Sequence, residues 1–242
     1  MLSLLNTEQE NLALLIQEPW VYHHNLQPPT HTAWRRITPV NSPQERNDRT
    51  RTCIHIRSFI PSRNITIGGD NNRLLTSISI EIGEEKKLTL KSLYNPPTTF
   101  EGIDILKNSL DNNNPRHNPT IIAMDSNLHS KLWNPRGYNH IHPQAKDLIR
   151  VFFSKGFRIC SPKGTPTFIR STNIATTIDL LWPNSTAVQL IENTSVEMDN
   201  HSSDHQPIKT VLNLKGKTLE VKEPHQTMKL TNLDKDAFTR DI

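Results

Sequence analysis

The sequence predicts an α/β fold of short buried strands alternating with amphipathic helices, and three observations predict it. Apolar runs such as residues 121–124 stop abruptly on polar residues, as strands covered on both faces do. Two longer stretches, residues 100–110 and 145–153, repeat their apolar side chains at helical spacing and can cover a sheet. Between residues 78 and 93 the apolar period is two, broken by Gly83-Glu84-Glu85, which reads as a hairpin.

The elements follow in order. Residues 2–11 read as the end of a helix, and residues 12–16 as a strand running straight into Gln17 and Glu18. Ile78, Ile80 and Ile82, then Leu88, Leu90 and Leu93, form the hairpin, which delivers Tyr94 and Asn95 just before Pro96-Pro97 ends the ladder. Phe100, Ile103, Leu106 and Leu110 share one helical face. Residues 121–124 form the next strand and end on Asp125, with Ser126 and Asn127 behind it. Ala145, Leu148, Ile149, Phe152 and Phe153 make a second helical face, and Gly156 supplies its stop. Strands are then expected at 157–160, 178–182 and 208–212, the last preceded by Ser203-Asp204-His205. Beyond about residue 214 apolar density falls and charge rises, so residues 1–214 are read as one domain and 215–242 as a tail or linker.

Bulk properties narrow the function classes. A chain of 242 residues with 34% hydrophobic residues buries one sizeable core. The net charge of +4 permits a polyanionic partner without demanding one. Basic residues gather between Arg35 and Arg63, opposed there by Glu45 and Asp48 alone, and this run suits a solvated face as well as a phosphate track. Cys53 and Cys160 form neither a disulfide framework nor a thiolate zinc motif, which suits a reducing, intracellular compartment. The N-terminus has no basic region before its apolar residues, so it does not read as a secretion signal, and no segment approaches the ~20 apolar residues of a membrane span.

Polar groups recur at strand ends: Gln17-Glu18, Tyr94-Asn95, Asp125-Ser126-Asn127 and Ser203-Asp204-His205. Each alone has a bland reading as a turn or a half-buried ring. Together they do not, because the strand ends of a layered α/β fold converge on one edge, where function sits. Asp179 differs, since it lies inside the apolar run Ile178-Asp179-Leu180-Leu181-Trp182. Unpaired, its carboxylate would cost several kcal/mol, so a buried partner such as a histidine is expected.

Read in order, Gln17-Glu18-Pro19-Trp20, Tyr94-Asn95-Pro96-Pro97, Met124-Asp125-Ser126-Asn127, Thr177-Ile178-Asp179-Leu180 and Ser203-Asp204-His205 resemble the endonuclease/exonuclease/phosphatase superfamily. Within it they are similar to the apurinic-type endonuclease domain of LINE-like, non-LTR retrotransposons, over nearly the whole chain to about residue 214. The resemblance implies a four-layered α/β/β/α sandwich of two mixed sheets flanked by helices. It also implies a Mg²⁺-dependent DNA endonuclease that leaves a 3′-hydroxyl nick, with Mn²⁺ as an alternative ion. Glu18 would be the main metal ligand, with Asp204 in or near the metal's outer shell. Asp125 would orient and deprotonate the attacking water, Asn127 would donate to the phosphate or to that water, Tyr94 would hydrogen-bond the phosphate, and His205, held by Asp179, would contact a phosphate oxygen.

The partners so implied are DNA and, through the tail, a reverse transcriptase domain. Nuclear action follows from the substrate. The segment around Arg170 to Asn173 resembles a hairpin that approaches the DNA minor groove, where Arg170 would contact phosphate. The family's fold opens with an Asn-bearing strand that has no counterpart before the first helix here, so the domain is expected to lack that strand. The alternative expectation is therefore an inactive remnant that at most binds nucleic acid. A phosphatase or lipid phosphodiesterase is disfavoured by Tyr94-Asn95-Pro96-Pro97.

Overall fold

The computed structural model describes residues 1–7, 11–39, 49–83, 86–112, 118–169 and 175–214. In chain order its elements are α1 (Leu2–Thr7), β1 (Ala13–Gln17), β2 (Trp34–Ile37), β3 (Thr52–Arg57), β4 (Ile65–Ile67), β5 (Leu75–Glu81) and β6 (Lys87–Tyr94). They continue as α2 (Glu101–Asn112), β7 (Thr120–Asp125), α3 (Ala145–Ser154), β8 (Phe168–Ile169), β9 (Ala175–Thr176), β10 (Asp179–Pro183), α4 (Ser185–Val188), β11 (Ile191–Val196) and β12 (Ile208–Leu212). A five-stranded sheet runs β10-β7-β6-β5-β4 and a three-stranded one β1-β3-β2, with β11-β12 and β8-β9 as two-stranded pairs. The β6–β7 pairing is parallel, with α2 as its crossover.

Alternation along the strands sorts two cores. On one face of the five-stranded sheet Ile78, Ile80, Leu88, Leu90, Ile121 and Leu181 meet Ile37, Ile54 and Ile56 of the three-stranded sheet. On its other face Leu75, Leu93, Ile122, Met124, Leu180 and Trp182 meet α2 through Ile103, Leu106 and Leu110, and α3 through Leu148 and Phe152. Beyond the three-stranded sheet lies α1, whose buried Leu5 accepts a 2.8 Å bond at its carbonyl from Trp34 Nε1. The result is helix, sheet, sheet, helix. Each fully buried Leu or Ile contributes about 1.5–3 kcal/mol, so the two clusters are the main favourable term.

Both predicted amphipathic helices form. Glu101 and Asp104 lie in the first turn of α2, where carboxylates complement the helix dipole. Gly156, at φ 80°, ends the α3 segment in the left-handed conformation that glycine adopts without strain. The hairpin forms as β5 and β6, while Glu84 and Glu85 of its turn, residues 8–10, the Arg170 to Asn173 segment and the tail lie outside the described residues.

Residues 157–160 depart from expectation: they form no strand. Phe157 makes an isolated bridge to Asn184, and the N–H groups of Arg158 and Cys160 donate to Pro183 and Leu181 on β10. The returning bond from the Leu181 N–H goes to Ser161 Oγ at 2.6 Å, so a hydroxyl replaces the carbonyl that a ladder would use. Among the described residues no strand precedes β1, which pairs with β3 alone and whose five residues are all half-buried. Cys53 is buried and Cys160 half-buried, both as free thiols. No helix among the described residues is long and apolar enough to cross a membrane.

Candidate active site

One row of the five-stranded sheet carries the site. Tyr94 of β6 is the register partner of Asp125 on β7, which is in turn the partner of Asp179 on β10. All three side chains therefore leave the sheet on its inner face, at the edge where β6 and β7 finish and β10 begins. The preceding row is polar as well. Gln17 Nε2 donates to Ser92 Oγ at 2.8 Å and to the Ala123 carbonyl at 3.3 Å, and the Thr52 and Thr76 hydroxyls bond across the two sheets at 2.8 Å. The inter-sheet core thus changes from isoleucine and leucine to hydroxyls and amides, then to ionisable groups.

Asp125, Asp179 and His205 place ligand atoms within 4.8 Å of one another. His205 Nδ1 lies 3.0 and 3.1 Å from the two Asp179 oxygens. A carboxylate only accepts, so Nδ1 carries the proton and Nε2 is left for another partner. This histidine is the partner that Asp179 required. It is brought there by a bridge to Phe168, whose ring centroid is 4.9 Å from its own, and by the Gln206 N–H bonding to the Thr167 carbonyl at 2.7 Å. Thr167 also fixes Asp179: its buried hydroxyl accepts from the N–H groups of Ile178 and Asp179 at 3.1 and 3.0 Å.

Two asparagines brace the loop after β7. Asn95 Nδ2 donates to the Ser126 carbonyl at 2.8 Å, and Asn127 Nδ2 to the Asn95 carbonyl at 3.0 Å. The Asn127 N–H donates to Asp125 Oδ1 at 3.1 Å. Asn127 has φ 49°, a left-handed conformation that Asn tolerates better than most residues. Glu18 shares that conformation at φ 48°. Its N–H donates to the Arg51 carbonyl at 2.8 Å and its half-exposed carboxylate pairs with the Arg51 guanidinium, which sits 4.5 Å from the Tyr94 ring centroid. Asp204 is exposed, and its backbone carbonyl accepts from the Ile169 N–H at 3.0 Å.

The electrostatics follow from burial and crowding. Desolvation, then the Asp179 charge, pushes the Asp125 carboxyl well above the usual carboxylate range, against His205 and Asn127. Burial works against the His205 imidazolium, but the Asp179 hydrogen bond and charge, with Asp125 and Asp204, overcome it and raise His205 to about 9. Burial, opposed by Arg51 and aided by Asp125, raises Tyr94. Once Asp125 ionises, above its raised pKa, two carboxylates face one imidazolium, and the set is rich in oxygen. Those donors fit a hard divalent cation.

The structure gathers Asp125, Asp179 and His205, with Tyr94 and Asn127 bonded to or aligned with them. It places Glu18 on Arg51, and the Asp204 carboxylate outside the metal-capable group. Trp133 is fully buried in the core between the five-stranded sheet and the helices, its Nε1 bonded to the Leu128 carbonyl at 3.1 Å. Asn95, Arg51 and Thr167 were not singled out as site residues from sequence. Asn95 stood beside Tyr94 in a quoted motif and Arg51 within a basic run, whereas Thr167 carried no local signal.

The sequence matches the model of a family described as endonuclease-reverse transcriptase over residues 88–209. The fold resembles the endonuclease domain of TRAS1, a telomere-specific non-LTR retrotransposon, with TM-score 0.70 and 18% identity over 88% of this chain and 91% of that one. It also resembles the Xenopus laevis APE2 catalytic domain, with TM-score 0.64 and 16% identity over 88% and 86% of the two chains. The Leishmania major AP endonuclease LMAP gives TM-score 0.64 and 11% identity over 87% and 80%. No curated protein matches the sequence. A family model spanning half the chain, on a two-sheet sandwich whose strand ends gather Asp125, Asp179 and His205, leads to one conclusion: the chain belongs to the endonuclease-reverse transcriptase family of the endonuclease/exonuclease/phosphatase superfamily.

Proposed function

We propose that this chain is a Mg²⁺-dependent DNA endonuclease of LINE-type origin that hydrolyses a phosphodiester and leaves a 3′-hydroxyl. The observation that carries the reading is the Asp125, Asp179 and His205 cluster, within 4.8 Å at the strand ends of this fold. Asp125, in its ionised form and made more basic by burial, accepts the proton of the attacking water, which forms the new P–O bond as the bond to the 3′ oxygen breaks. His205, charged and held through Nδ1 by Asp179, offers Nε2 to a non-bridging phosphate oxygen. Asn127, fixed by the Asn95 carbonyl, and Tyr94 border the same phosphate.

Glu18 would be the main ligand of the cation, with Asp204 in or near its outer shell, and the ion's charge would offset that of the phosphate and the departing oxygen. Glu18 would have to leave Arg51 to do so. In an element that also encodes a reverse transcriptase, the 3′-hydroxyl would prime synthesis, and the work would be nuclear.

Nicking of supercoiled plasmid is the test. Wild type with Mg²⁺ is expected to nick, and the same chain in EDTA, or as Asp125→Asn or His205→Ala, is expected to fall by at least 10²-fold while still binding DNA. The Glu18–Arg51 pair, and β1 pairing with β3 alone among the described residues, favour a second reading, a remnant that binds without cutting. A folded, DNA-binding wild type that does not nick would establish that reading instead.

A further inference from the structure

Past the catalytic end of the sheet, the loops following Asn127 and Cys160 enclose a cavity of about 560 Å³. Lys131, Arg136 and Lys163 line it with Asn134, Tyr138 and Asn139, and no carboxylate does. Among the described residues, none of the three cations enters an ion pair. Three positive charges border one cavity with no carboxylate on its lining, and that charge pattern favours an anion there.

The walls are fixed to the site already described. The Gly164 N–H donates to the carbonyl of buried Trp133 at 2.9 Å, joining the two loops. Asn134 Oδ1 accepts from the Thr177 N–H at 3.0 Å, and the Thr177 hydroxyl donates to the Thr165 carbonyl at 2.7 Å. Thr177 precedes Asp179 by two residues, about 7 Å along an extended chain. The cavity is therefore held at a set distance from the catalytic row by backbone and buried side chains. Gly137 and Gly164, at φ 92° and 77°, keep its rim free of side-chain bulk.

We propose that this cavity is a second phosphate subsite, which holds a backbone phosphate of the DNA away from the bond that is cut. The proposal rests on the endonuclease reading and adds the residues that register the strand. The volume accommodates a phosphate with its flanking sugars. Arg136 supplies a planar fork for two phosphate oxygens, and Lys131 and Lys163 supply point charges. Binding there and chemistry at Asp125 are then separable.

The test compares wild type with Lys131→Gln, Arg136→Gln and Lys163→Gln, singly and combined, against Lys146→Gln on the exposed side of α3. All three cavity residues are exposed, so the thermal midpoint should not move. In EDTA, anisotropy of a short labelled duplex is expected to weaken roughly tenfold at 0.1 M salt for the combined variant, and the log–log salt slope to drop by about 1–2. With Mg²⁺, KM should rise by a similar factor while kcat holds, and Lys146→Gln should match wild type.

Unchanged affinity and slope in the combined variant would overturn the subsite. So would inorganic phosphate raising the wild-type midpoint, but not the variant's, with duplex affinity equal in the two. A wild type that binds duplex through the cavity and never nicks would sink the endonuclease reading and leave the subsite standing. Nicking with KM unchanged in the variant would do the reverse.

Discussion

Glu18 holds a backbone conformation that costs a non-glycine residue about 1–2 kcal/mol, and it sits one position past a regular strand. The strain turns the carboxylate out of β1 toward Arg51 and Tyr94, where a continued strand would have sent it to the opposite face. Strain of this kind persists where surrounding structure over-determines it, here through the Glu18 N–H bond to the Arg51 carbonyl. Glu18→Gly and Glu18→Ala should therefore lose nicking equally, since both remove the carboxylate. Only the glycine variant relaxes φ, and chemical denaturation should find it about 1 kcal/mol more stable than the alanine variant. Sequence made the acid at this strand end visible but not its direction, because its turn depends on bonding to Arg51, far away in the chain.

At the scale of elements, the site depends on how closely α2 approaches β6. A Cβ added at Gly102 would lie 2.7 Å from the Tyr94 carbonyl oxygen, 2.8 Å from Asn95 Cα and 2.9 Å from Asn95 Oδ1. The first turn of α2 thus rests on the backbone that presents Tyr94 and on the amide that braces Ser126. Gly102→Ala is expected to destabilise by about 1–3 kcal/mol through overpacking and to lower kcat by disturbing the Asn95 to Asn127 bracing, measured by denaturation and plasmid nicking. Both helices, the hairpin and the strand ends at Asp125 and Asp179 were legible because local period and an abrupt change of polarity encode them. β2, β3 and β11 were not, since "TCIHIR" and "IENTSV" carry too little contrast, and their strand form comes from pairing with distant partners. Thr167 escaped for a related reason: its hydroxyl matters through two amides more than ten residues away.

The whole molecule stores a proton-dependent weakness away from the site. His55 is fully buried in the three-stranded sheet, its Nε2 3.1 Å from the Pro29 carbonyl, and burial, with the Arg36 charge, lowers its pKa despite that bond. The unfolded chain takes up a proton near pH 6.5 that the folded chain resists, so stability attributable to His55 is steady above that value and falls as pH drops below it. Wild type should lose stability relative to His55→Gln below pH 6.5, by at most about 1.4 kcal/mol per pH unit, as read from denaturation midpoints at successive pH values. The domain architecture was legible at the level of layers and active edge, while the order of strands needed the parallel β6–β7 crossover and the pairing of β10 beside β7. That arrangement also sets a timetable. The proposed site draws on residues from Glu18 to His205, and the histidine belongs to the segment leading into β12, the last strand among the described residues. A ribosome adding about 5–20 residues per second needs roughly 4 to 16 s to pass from Asp125 to His205. Within that interval the growing chain gains Lys131, Arg136 and Lys163 while still lacking His205. On the proposed reading, cleavage has to wait until that last segment has been made and has folded.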